Sequence, residues 1–131
     1  MRKNIYIMLG GAAGAVLRVL VRNMELFQCT SGLPYSTLVV NFTGALILAF
    51  FLTVSFEISN FDPDIRIGFS TGFLGAFTTF STLCKETAML MFNGDYSSAI
   101  LYIVLSCVLG FAAAYVGYIL AKKVIVKLTH N

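Results

Sequence analysis

Charge and histidine are scarce in this chain, and the scarcity excludes whole classes of function. Only 11% of its 131 residues are charged against 58% hydrophobic, with a mean hydropathy of +0.86. Soluble domains carry roughly 25% charged residues, so a soluble globular fold is ruled out. The one histidine, His130, lies in the tail, and the three cysteines, Cys29, Cys84 and Cys107, are scattered with no Cys-x-x-Cys among them. Neither a metal cluster nor a disulfide framework follows, and Cys84 and Cys107 read as small packing residues within apolar segments. With no nucleophile and base pair, metal cluster or carboxylate pair, the chain does not read as an enzyme. The net charge of +3 is explained by cations flanking apolar segments, so no nucleic-acid partner is expected.

What the chain does have is apolar length. A spanning helix needs about 20 apolar residues at about 1.5 Å rise each, and residues 5–21, 37–56, 65–92 and 98–120 all qualify. The expected fold is an all-α membrane protein with four transmembrane helices, one transmembrane domain over 1–131, multi-pass in the cell membrane and surrounded by membrane lipid. The start through Ala13-Gly-Ala15 looks like a signal peptide with a small-residue cleavage site. The apolar pattern runs on through Arg18 to Val21, however, and reads better as a retained span. Loops near 23–36, 57–64 and 93–97 are short, the tail after Leu120 is about ten residues, and Pro63 reads as the stop of the second helix. Arg2, Lys3, Arg66, Lys122, Lys123 and Lys127 fall on one side, Arg18 and Arg22 on the other, and Lys85 inside span three. That asymmetry places both termini in the cytoplasm.

Small residues recur four apart as Gly10/Gly14, Gly68/Gly72 and Gly110/Ala114. Such pairs let helix backbones approach closely, and packing is the main source of helix association in membranes. Four short helices bury little surface, so an oligomer is expected.

Intramembrane polar groups are costly and are the functional candidates by default. Span three carries the densest run, Gly72-Phe-Leu-Gly75-Ala-Phe77-Thr78-Thr-Phe80-Ser81-Thr82. A helix opened between Gly75 and Thr78 frees carbonyl oxygens, and carbonyls without carboxylates suit a hard monovalent cation such as Na⁺. The restarting half-helix presents N–H groups and its positive dipole end. Non-helical backbone at that depth survives only if buried in protein or lining a cavity. Thr37 and Asn41 share one face of span two, as Tyr102 and Ser106 do in span four. A single hydroxyl can bond back to its own helix, whereas Asn41 cannot satisfy its whole amide that way and keeps donors to offer. Phe77 and Phe80 fit either as ordinary core or with positive ring edges toward a bare anion. Arg18 either snorkels to the interface or makes a vestibule electropositive. Lys85 and Glu86 are adjacent, point in different directions, and read as snorkelling or helix-terminal residues.

The motifs Gly10-Gly-Ala-Ala-Gly14-Ala-Val-Leu-Arg18, Ser36-Thr37-Leu-Val-Val-Asn41-Phe-Thr-Gly44, Gly72-Phe-Leu-Gly75-Ala-Phe77-Thr78-Thr-Phe80-Ser81-Thr82 and then Glu86 closely resemble the Fluc (CrcB-type) fluoride channels, across all four spans in order. The resemblance implies an antiparallel, dual-topology dimer with two narrow pores and a central structural Na⁺ that exports toxic fluoride passively. It also implies backbone carbonyls of Gly75 and Thr78 on the Na⁺, Asn41 donating to fluoride, and Phe80 lining a pore. Tyr102, Ser106, Ser81 and Thr82 would form a polar track, with Thr37 near a mouth and Arg18 in the vestibule. Where the family pattern has a second pore phenylalanine, three residues after Phe80, this chain has Leu83. Some members are heterodimers of oppositely oriented paralogues, and the uneven Lys/Arg flanks would fix one orientation. The expected partner is therefore a second copy or, given the charges, an inverted paralogue. Two other readings are a non-conducting subunit and a small dual-topology drug/proton exchanger, for which Glu86 alone could serve as the carboxylate.

Overall fold

In a computed structural model that describes residues 2–24 and 33–129, the chain is mostly helical, with no strand among the described residues. Helix α1 covers Arg2–Arg22 and α2 covers Tyr35–Glu57. The third span is built from consecutive pieces: α3 (Pro63–Ile67), a π-helical segment (Gly68–Leu74), α4 (Gly75–Phe77) and, after a two-residue gap, α5 (Phe80–Phe92). Helix α6 covers Tyr96–Thr129. Four helices are long and apolar enough to cross a membrane, as the apolar runs imply. Cys29, His130 and most of the first loop lie outside the described residues.

Local chemistry explains the boundaries. Helix α2 ends at Glu57, and Arg66 donates to the Ser55 carbonyl at 2.6 Å while lying 4.3 Å above the Phe56 ring. A cation is favourable at that C-terminal end. Pro63 therefore opens α3 rather than stopping α2. It occupies the first turn, where its missing N–H costs nothing, and the Asp62 carboxylate caps the Asp64 N–H at 2.8 Å. At the other end of span three, Gly94 has φ +79°, a value only glycine adopts freely. Its N–H reaches Met91 and the Asp95 N–H reaches Leu90, so the last carbonyls of α5 are satisfied. Asp95 then caps α6 through the Ser98 N–H at 3.1 Å. Helix α6 outlasts the expected apolar stretch, because nothing after Leu120 breaks a helix and Lys127 lies favourably in its last turn.

The glycine pairs explain the packing. A Cβ on Gly10 would overlap the Gly68 carbonyl, and one on Gly14 the Phe73 carbonyl. From the opposite side, one on Gly72 would stand 2.7 Å from the Ile7 carbonyl. Helix α1 thus lies directly on the π-helical backbone, while α2 runs along α6, where Gly117 meets the Leu46 carbonyl. Gly110 behaves differently: a Cβ there would meet nothing within 4 Å. Between the two helix pairs sit Val40, Leu74 and Phe77, with the stacked rings of Phe69, Phe73 and Phe77. Arg2 pairs with Asp62 at 3.2 Å and Lys122 with Glu57 at 2.6 Å, which gathers these cations at one end of the bundle. Cys84 and Cys107 correct an expectation: both are exposed on the surface of the chain rather than packed inside it.

Candidate functional site

The gap in span three is two extended residues, Thr78 (φ −74°, ψ 157°) and Thr79 (φ −148°, ψ 116°), one step later than the expected opening between Gly75 and Thr78. Both threonines stabilise it. Thr78 ends α4 with its N–H and its hydroxyl both on the Leu74 carbonyl, each at 2.9 Å. Thr79 is the N-cap of α5: its hydroxyl oxygen accepts the Thr82 N–H at 3.2 Å and donates to the Thr82 hydroxyl at 2.8 Å. Ser81 lies 3.4 Å from the same hydroxyl.

Asn41 holds the gap from α2. Its Oδ1 accepts the Thr79 N–H at 2.8 Å and its Nδ2 donates to the Thr79 carbonyl at 3.0 Å. In an unbroken helix the Thr79 N–H would bond the carbonyl four residues back, that of Gly75. Asn41 takes that N–H, so the Gly75 carbonyl loses its helical partner. One of the two Asn41 amide hydrogens remains after the Thr79 bond.

These groups open onto a cleft of about 340 Å³ lined by Asn41, Ala45, Leu48, Thr78, Thr79, Phe80 and Gly110. Phe80 stands 77% exposed at its edge, whereas Phe77 is 5% exposed and packed in the core. The bare flank of Gly110 forms the α6 side of the cleft.

A second polar cluster forms around Glu86. Tyr102 donates its hydroxyl to Oε2 at 2.7 Å and Thr37 donates to Oε1 at 3.1 Å, with Arg22 Nη2 3.9 Å from Oε1. Tyr102 and Thr37 are fully buried. Glu86 corrects the expectation of a snorkelling or helix-terminal residue, since it points inward from mid-α5, while its neighbour Lys85 is exposed. Thr37 is one turn from Asn41 on α2, and Tyr102 one turn from Ser106 on α6, so the two clusters lie along one axial strip. Ser106 bonds back to the Tyr102 carbonyl at 2.7 Å. Arg18 is partly buried and makes no ion pair among the described residues. Thr79 and Glu86, among the intramembrane polar candidates but without a pore role of their own, complete the site together with Arg22, which had been read only as a flanking charge. The capping role of Thr79 had a sequence signal, a hydroxyl three residues before Thr82 at a helix start.

A small four-span membrane protein whose third helix is interrupted beside a cleft that carries a few polar groups belongs to the class of proteins that pass small solutes or ions across a bilayer. The chain matches the family described as "CrcB-like protein, Camphor Resistance (CrcB)" over residues 5–118. It is similar to the "Fluoride-specific ion channel FluC" of Sulfurihydrogenibium sp. (strain YO3AOP1), 38% identical over 122 residues covering 93% of this chain and 98% of that one. The protein of the same name from Hydrogenobaculum sp. (strain Y04AAS1) is 39% identical over 111 residues, covering 85% and 90%. That of Shewanella halifaxensis (strain HAW-EB4) is 35% identical over 117 residues, covering 89% and 94%. The chain belongs to the CrcB family.

Proposed function

We propose that this chain is a subunit of a fluoride-selective channel, conducting passively down the electrochemical gradient, with no catalytic step. The single observation that carries the reading is the cleft at the interrupted span. It combines the spare Asn41 amide hydrogen, the exposed Phe80 ring and the Thr79 to Thr82 hydroxyl group. Such donors suit a small, strongly hydrated anion, and the positive ring edge of Phe80 adds to them. The names of the relatives point to the same ion.

The cleft is open on one side, and Phe80 and Gly110 lie uncovered there, so a second subunit in inverted orientation would close it into a pore. Asn41, Phe80, Ser81, Thr82, Tyr102, Ser106 and Thr37 would line the passage, with Arg18 in the vestibule. Phe77 would act from the core behind it. A structural Na⁺ fits the oxygen chemistry of the gap: the Gly75 carbonyl has lost its helical N–H, Thr78 lies in extended backbone, and no carboxylate is among the donors. Neutral carbonyls suit a hard monovalent ion. Its positive charge would lower the cost of bringing an anion into the bilayer. The basic end formed around Arg2, Arg66 and Lys122 favours one fixed orientation, and hence an inverted paralogue as partner.

The deciding experiment is fluoride efflux from liposomes containing the purified chain, read with a fluoride electrode against a chloride control. Fast, fluoride-selective efflux is expected from the chain alone if it is a homodimer, or only with a co-expressed inverted paralogue if it is not. Folded protein that passes no fluoride in either preparation would overturn the reading in favour of a non-conducting subunit.

A further inference from the structure

Helix α6 is longer than a membrane requires. Its 34 residues extend about 51 Å at 1.5 Å per residue, against a hydrocarbon layer of about 30 Å. Exposed tyrosines mark where the layer begins and ends: Tyr96 at one end, Tyr115 and Tyr118 at the other. Tyrosine prefers the membrane–water interface, and Tyr96 and Tyr118 are separated by about 33 Å of helix. Lys122 and Lys123 therefore stand about 6–8 Å beyond Tyr118, at the level of lipid phosphates.

A groove of about 350 Å³ lies at this boundary, walled by Tyr118, Ile119, Lys122, Lys123 and Val126. Its surface is almost wholly apolar, and two of the side chains that wall it, Lys122 and Lys123, end in ammonium groups. Lys122 is held by Glu57 at 2.6 Å and lies 6.0 Å from the Tyr118 ring centre. Lys123 is exposed and has no ion pair among the described residues. At this end Arg2, Lys3, Arg66, Lys122, Lys123 and Lys127 outnumber Glu57, Asp62 and Asp64. The local field therefore favours a negative ligand. Zwitterionic headgroups carry no net charge to answer it.

We propose that this groove is a binding site for an anionic phospholipid, its phosphate on Lys123 with Lys122 beside it and one acyl chain along Tyr118 and Ile119. The site is separate from the cleft at Asn41 and does not depend on what passes there. Juxtamembrane basic residues gain about 1 kcal/mol each near an anionic surface, equivalent to about fivefold in affinity.

The test is native mass spectrometry of the full chain in detergent with equal phosphatidylglycerol and phosphatidylcholine, counting the lipids each protein retains. The wild type is expected to retain phosphatidylglycerol severalfold over phosphatidylcholine. Lys123→Gln leaves the Glu57 ion pair intact and is expected to lower phosphatidylglycerol retention about fivefold. Tyr118→Ala, which keeps every charge, should lower it as well, and Lys85→Gln on exposed α5 should leave it unchanged. Equal retention of the two lipids by the wild type would overturn the site. So would undiminished phosphatidylglycerol on both Lys123→Gln and Tyr118→Ala, or a change of oligomeric state in place of lipid loss, which would assign the groove to a second protein copy. Helicity by circular dichroism confirms that each variant compared is folded.

Discussion

Asn41 and Thr79, 38 residues apart, exchange two hydrogen bonds, the amide oxygen taking the Thr79 N–H and the amide nitrogen serving the Thr79 carbonyl. The side chain imitates the edge of a strand, and it does so inside a membrane span, where non-helical backbone survives only if buried in protein or lining a cavity. The interrupted helix is therefore held open by one residue of α2, and the same contact that stabilises the gap releases the Gly75 carbonyl. Stability and site geometry are coupled through a single amide.

Replacing Asn41 separates the two roles. Asn41→Ala leaves the Thr79 N–H unpaired, while the Thr79 carbonyl, at the N-cap of α5, keeps the first helical N–H, and the change is expected to destabilise the fold by about 1–3 kcal/mol, the cost of one buried unsatisfied group. Chemical denaturation of the detergent-solubilised protein, followed by circular dichroism, measures this. Asn41→Asp keeps an acceptor for the Thr79 N–H but places a negative charge in the cleft. Like charges about 4 Å apart at an effective dielectric constant of about 20 repel by about 4 kcal/mol, roughly a thousandfold in occupancy. Liposome efflux from Asn41→Asp should fall to the background of empty vesicles, and unchanged efflux would remove the cleft from the anion path.

The glycines of α1 differ in what they tolerate. Gly14→Ala would drive a methyl group into the Phe73 carbonyl and Gly10→Ala one into that of Gly68, both fixed backbone. Each is expected to cost about 3 kcal/mol or more, at the upper end of overpacking. Gly11→Ala meets only the Gly72 carbonyl at 3.9 Å, an ordinary contact, and should unfold at the same denaturant concentration as the wild type or slightly higher. Equal loss in all three variants would mean that α1 does not sit on the π-helical segment as described.

The spans were legible as apolar length, the α1 contact as spaced glycines, and Asn41 as an amide that cannot bond back to its own helix. The π-helical segment was not, because no residue type in Gly68 to Leu74 distinguishes bonds to the fifth residue from bonds to the fourth. Its wider turns, followed by two extended residues, reset the rotational phase of α5. Counting 100° steps from Ile65 therefore cannot show that Glu86 turns inward while Lys85 and Ser81 face out. Hydropathy likewise marked where the apolar part of α6 ends, near Leu120, while the helix itself runs on through residues that have no reason to stop it.

Asp95 makes the start of α6 sensitive to acid. The hydrogen bond that its carboxylate accepts from Ser98 holds its pKa below the usual carboxylate value. A depressed carboxylate stabilises the fold above its unfolded pKa, and that contribution disappears as pH falls below about 3.8 toward the folded value. Hydrogen-exchange protection factors of the Ser98 and Ala99 amides should be higher in the wild type than in Asp95→Ala at pH 6, and the difference should shrink at pH 3. A difference that persists unchanged at pH 3 would assign the protection to the helix backbone alone.

The Glu86 cluster allows an ordering to be tested. Hydrogen bonds to a charged group are worth about 1.5–3 kcal/mol, so both Tyr102→Phe and Thr37→Val should destabilise. They should not do so equally. Oε1 loses its donor in Thr37→Val, but Arg22 stands 3.9 Å from that oxygen and needs only a small side-chain shift to replace the hydroxyl. Oε2 has Tyr102 as its donor and, among the described residues, no cation at ion-pair distance, so Tyr102→Phe removes its donor. Unfolding measurements should therefore show Tyr102→Phe to be the more costly change by about 1 kcal/mol. Adding Arg22→Gln should raise the cost of Thr37→Val while leaving that of Tyr102→Phe nearly unchanged. If Arg22→Gln acts additively with both, Arg22 is a surface charge with no part in holding Glu86.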